Sequence, residues 1–188
     1  MDDVLAQGWL ETKNIALLGF MTAGKTQVGL ALAGRTGLPF RDVDTLIEGL
    51  EQEPIHRIFQ LHGEPYFRAL ESRVLSELCA GSGQILSCGG GTVLAPENRQ
   101  RLRERCISIW LGVSASEALR RLRDPESPRR PLLEGRDVAQ IVPDLMRQRE
   151  ALYAQTVAGE DFGLKIETDG RSVEEVAREI ALRLGLLN

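Results

Sequence analysis

A strand that runs straight into a glycine-rich phosphate loop leaves few folds open, and residues 14 to 33 read that way. Asn14 to Gly19 (NIALLG) is a short apolar run. Gly19-Phe20-Met21-Thr22-Ala23-Gly24-Lys25-Thr26 then fills every fixed position of G-x-x-x-x-G-K-[ST]. From Lys25 onward, Val28, Leu32 and Ala33 are spaced as on a helix. Strand, glycine loop and helix are the context the motif requires. At ordinary glycine usage, a chance match somewhere in a chain this long runs at roughly one per cent. The loop's N–H groups and the helix N-terminus would wrap a β-phosphate, Lys25 would reach the β- and γ-phosphates, and Thr26 would ligate Mg²⁺. The alternative is a plain tight turn.

The rest of the chain extends this start into a layered α/β domain. Apolar runs recur at Gln84 to Cys88, Cys106 to Leu111 and Phe162 to Glu167, separated by helically patterned segments. Such alternation predicts a parallel sheet covered on both faces. A helix is expected over Glu64 to Leu78, burying Phe67, Leu70, Val74, Leu75 and Leu78, with Arg68 and Glu71 one turn apart beside that stripe. Further helices are expected over Ser114 to Arg123, about Asp137 to Thr156 and about Ser172 to Leu184. Between the first two of these, Asp124 to Arg136 (DPESPRRPLLEGR) carries Pro125, Pro128, Pro131 and Gly135. A proline-broken, arginine-bearing loop is a lid candidate.

Composition narrows the function. At 188 residues, with 43% hydrophobic and 27% charged residues, the chain suits one soluble domain. A formal charge of -4 offers no global attraction to nucleic acid or to an anionic membrane, and neither is expected as a partner. An anionic ligand then needs local cations, which Arg120, Arg121, Arg123, Arg129 and Arg130 can supply unless they are only a solvated face. Residues 1 to 13 lack a basic start and a long apolar run, so a cytoplasmic protein is expected. Cys79, Cys88 and Cys106 show no CxxC spacing and read as reduced thiols.

Three further groups bear on chemistry. Asp42 and Asp44 come where a second strand should end, and i, i+2 positions on a strand face the same way. One carboxylate could hold Mg²⁺ through water while the other positions or deprotonates an acceptor hydroxyl, or both could be caps for the next helix. Ser87-Cys88-Gly89-Gly90-Gly91 holds more glycine than a turn needs. It could permit close approach to a ligand, with Ser87 on metal-bound water, or be a flexible loop. His56 and His62 have no third ligand nearby and read as surface residues, while Cys88 has no evident base and reads as packing.

Taken together, GFMTAGKT, Asp42-Val43-Asp44, GEPYFRALE from Gly63 to Glu71, the glycine triplet, RPLL from Arg130 to Leu133 and RQREALY from Arg147 to Tyr153 resemble the shikimate kinase family. The likeness spans roughly residues 14 to 185, in the family's order. It implies a nucleoside-monophosphate-kinase-like, three-layer α/β/α fold around a five-stranded parallel sheet, in a single kinase domain over 1–188. Residues 1–13 would be an N-terminal extension, about 45–75 a substrate-binding subdomain and about 123–136 a mobile lid. The implied activity is ATP-dependent phosphorylation of the shikimate 3-hydroxyl, within aromatic amino-acid biosynthesis, with Mg²⁺ as cofactor and a monomer as the working unit.

By the same resemblance, Lys25, Asp44 and Arg130 would be catalytic, Asp44 binding the shikimate hydroxyls and serving as or near the general base. Thr22, Ala23, Gly24, Lys25, Thr26 and Gln27 would bind ATP, with Arg123 against adenine, Arg171 beside it and Arg130 closing onto the phosphates. Arg68 and Arg149 would grip the substrate carboxylate, Glu71 would orient Arg68, Phe59 and Phe67 would wall the ring, and Gly89, Gly90 and Gly91 would line the pocket. Thr26, with Asp42 and Ser87 through water, would serve the metal. Planar guanidinium forks suit a carboxylate, although from sequence alone Arg68 and Arg149 are ordinary helix-surface charges. Thr22 departs from the family, which commonly has glycine there. A kinase for another small hydroxy acid and a non-catalytic ligand sensor remain as alternatives; a sensor should carry an output module, and no helix-turn-helix or similar appendage is visible.

Overall fold

The computed structural model describes residues 8–124, 131–133, 135, 137–159 and 163–187. Five strands form one parallel sheet: β1 (Asn14–Gly19), β2 (Phe40–Asp42), β3 (Ile85–Ser87), β4 (Cys106–Gly112) and β5 (Gly163–Glu167). Their order is β2-β3-β1-β4-β5. Seven α-helices accompany them among the described residues: α1 (Lys25–Thr36), α2 (Val43–Glu51), α3 (Ile55–Cys79), α4 (Pro96–Arg105), α5 (Ala115–Leu122), α6 (Val138–Val157) and α7 (Val173–Arg183).

Both faces of the sheet are covered, so its central strand has no polar face. Every residue of β1 is buried. Ile15 and Leu17 point into a core shared with Val28 and Leu32 of α1 and Val176, Ala177 and Ile180 of α7. Ala16 and Leu18 point the other way, among Leu75 of α3, Leu102 of α4 and Tyr153 of α6. The alternation by one residue is the strand's own period, here with apolar groups on both sides. A third cluster, Val43, Ile47, Ile58, Phe67, Leu70 and Val74, joins α2 to α3 beside the sheet. No helix of the described residues is long and apolar enough to cross a membrane.

Two expectations need correction. The Glu64–Leu78 helix is the second part of a longer run, Ile55–Cys79, interrupted at Gly63, whose φ of 81° and ψ of 170° are not helical. Only glycine reaches that region without strain, and Pro65 follows within the new first turn, where a missing N–H costs nothing. Secondly, β2 ends at Asp42, and Asp44 lies in the first turn of α2. The two acids are therefore set by a strand end and a helix turn, not by strand alternation. Residues 9 to 11, which the family pattern leaves unexplained, form a short 3-10 helix that sets Trp9 against the α1–α7 side of the core.

Of the lid candidate, Asp124, Pro131–Leu133 and Gly135 are described; residues 125–130, 134 and 136, Arg130 among them, lie outside the described residues. Leu133 is buried with Phe20, Ala118 of α5 and Val142 of α6.

Candidate active site

The C-terminal ends of parallel strands and the N-termini of the helices that follow meet at one edge of the sheet, which is where such folds place ligands. A cavity of about 740 Å³ opens there. Its walls bring together Thr22, Gly24, Lys25, Thr26 and Gln27 of the phosphate loop, Asp42 and Asp44, Phe59, Phe67, Arg68 and Glu71 of α3, Ser87 and Gly89 to Gly91 after β3, and Arg149 of α6. Arg121, Leu132 and His56 also line it. His56 is thus half-buried on a cavity wall and not a plain surface residue, while His62 is exposed.

On the phosphate side, Gly24 has φ 84° and directly precedes α1, so its N–H and those after it can turn toward an anion. Ala23 is buried behind the loop. Lys25 Nζ donates to the Gly19 carbonyl at 3.0 Å and the Phe20 carbonyl at 2.9 Å, which holds the ammonium under the loop. Thr26 Oγ1 donates to Asp42 Oδ2 at 2.8 Å. The other Asp42 oxygen accepts from the N–H groups of Asp44 and Thr45, at 3.0 and 3.2 Å. Asp42 is therefore both the α2 cap and a partner of the phosphate loop. Ser87, buried, lies in register with Asp42 on the neighbouring strand. Thr26, Asp42 and Ser87 make a set of hard oxygen donors of the kind Mg²⁺ takes.

On the acceptor side, charge is buried and cross-tied. Glu71 is 1% exposed. Its Oε2 accepts from Arg68 Nη1 at 2.8 Å and its Oε1 from Thr92 Oγ1 at 2.7 Å. Arg68 also donates through Nε and Nη2 to Glu64, at 3.1 and 2.9 Å. Burial works against the Arg68 charge, but Glu71 and Glu64 outweigh it and raise its pKa above the ordinary value. These bonds use three of its five N–H donors, leaving a donor for a ligand on each terminal nitrogen. Arg149, 3% exposed, donates to the Gly90 carbonyl at 3.1 Å. The Phe59 and Phe67 rings pack with centroids 4.8 Å apart.

The glycine triplet is explained by crowding. A Cβ on Gly89 would collide with Glu71 Oε1 and come within 3.2 Å of Asp44 Oδ1. One on Gly91 would sit 2.5 Å from Arg68 Cζ, and one on Gly90 would crowd the Met21 nitrogen of the phosphate loop at 3.3 Å. Gly89 and Gly91 let Glu71 and Arg68 approach the backbone where a larger residue would push them away, and Gly90 lets the phosphate loop do so. Cys88, next to them, is fully buried, and burial raises its thiol pKa well above the ordinary value, in keeping with packing. All three cysteines are buried free thiols.

The arginines at the end of α5 are placed differently from one another. Arg123 is exposed at the C-cap of α5 and does not line the cavity. Arg121 reaches inward instead: Nη1 donates to the Thr22 carbonyl at 2.9 Å and Nη2 to the Thr168 carbonyl at 3.1 Å. Glu117, one turn earlier, braces it at 2.8 Å and Arg120 at 2.7 Å, and the two arginines hold the Glu117 carboxyl down to about 2. Arg171 bonds to the Glu167 carbonyl at 3.1 Å and pairs with Glu179 at 2.6 Å, outside the cavity. From sequence Thr92 carries no signal, Tyr153 appears only as the end of the RQREALY run, and Arg121 only as one arginine of a basic cluster. Arg121 also stands four residues after an acid, Glu117, on a short helix.

The chain is similar to known proteins over nearly its whole length. Residues 21–184 match the family model described as shikimate kinase. A shikimate kinase of Nitrobacter winogradskyi is 44% identical over 155 residues, covering 81% of this chain and 72% of its own. That of Geobacter metallireducens is 40% identical over 168 residues, 89% of each chain. Among solved structures, the Acinetobacter baumannii shikimate kinase in complex with shikimate superposes with a TM-score of 0.85 at 33% identity, over 96% of this chain and 97% of that one. A gluconokinase of Sinorhizobium meliloti, at 18% identity and a TM-score of 0.59, shares the fold alone, over 93% of both chains. Identity of this degree, sustained over nearly the whole length together with the phosphate loop and the arginine-lined cavity, means that the chain belongs to the shikimate kinase family.

Proposed function

We propose that this protein transfers the γ-phosphoryl group of ATP to the 3-hydroxyl of shikimate, releasing ADP and shikimate 3-phosphate. The observation that carries the reading is that one cavity is lined by a phosphate loop, a carboxylate at Asp44 and two arginines, Arg68 and Arg149. A phosphoryl donor, a proton acceptor and a grip for an anionic acceptor are what this transfer needs.

The loop amides and Lys25 hold the β- and γ-phosphates, and Thr26 with Asp42 and Ser87 holds Mg²⁺. Held there by Thr26, Asp42 and Ser87, the ion would offset the charge of the phosphates. Arg68 and Arg149 take the carboxylate of shikimate through planar pairs of N–H donors and so fix which face of the ring meets the phosphate loop. Phe59 and Phe67 wall the ring. Asp44 orients the 3-hydroxyl and accepts its proton as the oxygen bonds to phosphorus. Arg121 closes the nucleotide side from α5. The working unit is a monomer in the cytoplasm.

The test is ADP release measured with ATP and Mg²⁺ in the presence of shikimate, quinate, gluconate or nucleoside monophosphates in turn. Turnover confined to shikimate is the expected result. Turnover with another acceptor and none with shikimate would overturn the assignment.

A further inference from the structure

We infer that Tyr153 is a positioning residue for the acceptor's carboxylate: its phenol and Arg149 share the Gly90 carbonyl, and this shared bond aims the Arg149 fork into the cavity. The inference rests on the proposed function above and extends it to a residue that touches no substrate.

Tyr153 lies one helical turn after Arg149 on α6, on the same face, and is 3% exposed. Its hydroxyl donates to the Gly90 carbonyl oxygen at 2.6 Å, and Arg149 Nη1 donates to the same oxygen at 3.1 Å. One donor fills each lone pair of that oxygen. On its other side Gly90 abuts the phosphate loop, where an added Cβ would lie 3.3 Å from the Met21 nitrogen and 3.4 Å from the Gly19 oxygen. The Gly90 peptide is thus held between the loop and α6, and its carbonyl direction is set by Tyr153. The phenol ring is itself fixed against Trp110, with centroids 5.6 Å apart and planes 24° apart. Burial, foremost, pushes the phenol pKa up, so the group stays protonated and remains a donor throughout the working pH range.

A guanidinium has five donors in a rigid plane. Fixing the acceptor of one Nη1 N–H therefore fixes where the remaining donors point, so removing the phenol hydroxyl frees the carbonyl and lets the fork turn. Phenylalanine keeps the ring against Trp110 and removes only the oxygen, so Tyr153→Phe isolates this effect.

The experiment uses the full chain and measures KM for ATP, for shikimate and for shikimate methyl ester, in the wild type and in Tyr153→Phe. The expected result is a rise in shikimate KM of roughly tenfold, the size of one lost hydrogen bond. ATP KM should stay within about twofold, and the ester, which lacks the negative charge, should be handled alike by both proteins. In an Arg149→Ala background, adding Tyr153→Phe should raise shikimate KM no further. Unchanged shikimate KM in the variant, or equal losses for acid and ester, would overturn the role of Tyr153 while leaving the proposed function standing. A wild type that turns over no shikimate would overturn both.

Discussion

The phosphate end of the cavity and its acceptor end are built in opposite ways. The phosphate end is a single run, Gly19 to Thr26, whose donors are mostly backbone N–H groups pointed by one strand and one helix. The acceptor end gathers Asp44, Arg68, Glu71, Gly90 and Arg149 from four separate segments and works mainly through side chains, of which Glu71 and Arg149 are buried. A local device tolerates change elsewhere in the chain. A device assembled from distant charged side chains depends on each partner, because removing one leaves another buried and unsatisfied. Damage at the acceptor end should therefore spread between neighbouring residues, whereas damage at the phosphate end should stay where it is made.

The largest expected effect breaks the comparison at its junction. Asp44→Asn keeps the size of the side chain but removes the proton acceptor, and kcat should fall by about 10³-fold. ATP binding, read by calorimetry, should change little. A variant of near-wild-type turnover would remove Asp44 from the chemistry.

Next in size is Gly91→Ala, which presses a methyl group into the Arg68 guanidinium. The arginine is a flexible partner and can move, so the protein should fold, but a displaced fork should lower kcat/KM for shikimate by about 10²-fold. ATP KM should be unchanged, and an equal loss for both substrates would mean that the glycine matters only for folding. Arg121→Ala inverts this pattern. It removes the tie between α5, the Thr22 carbonyl and Thr168, and should raise ATP KM about tenfold while shikimate KM holds.

The smallest effect is on stability. Arg120 and Arg121 hold the Glu117 carboxyl at about 2, below its value in the unfolded chain. The pairing therefore stabilises the fold fully above the unfolded pKa, near 4.3, and the contribution is lost as pH falls toward about 2. Glu117→Gln should make Tm fall less steeply across that window. The difference should be small, because Arg120 is exposed and water screens the pair. Parallel wild-type and variant profiles would show that the pairing adds nothing.

The same contrast explains what could be read from the sequence. The phosphate loop, the alternation of strands and helices and the layered fold are local patterns, so period and motif suffice for them. The acceptor end was legible only through family resemblance, since nothing in the spacing of Arg68 and Arg149 distinguishes them from surface charges. The apolar pair before Asp42 and Asp44 predicts a strand ending at both. The capping preference of aspartate, which ends β2 at Asp42 and starts α2, prevailed over it. R-R-L-R offers several candidates, and only the short α5 decides that Arg121 turns inward to the Thr22 and Thr168 carbonyls. Thr92 and Tyr153 bond to partners 21 and 63 residues away, contacts that no local pattern announces.

The most direct test of the central claim is the identity of the product. The protein incubated with ATP, Mg²⁺ and shikimate should give ADP and a monophosphorylated shikimate in equal amounts, with ³¹P coupling that places phosphorus on the 3-oxygen. Inorganic phosphate in place of the ester, or phosphorus on another oxygen, would contradict the geometry proposed for Asp44, Arg68 and Arg149.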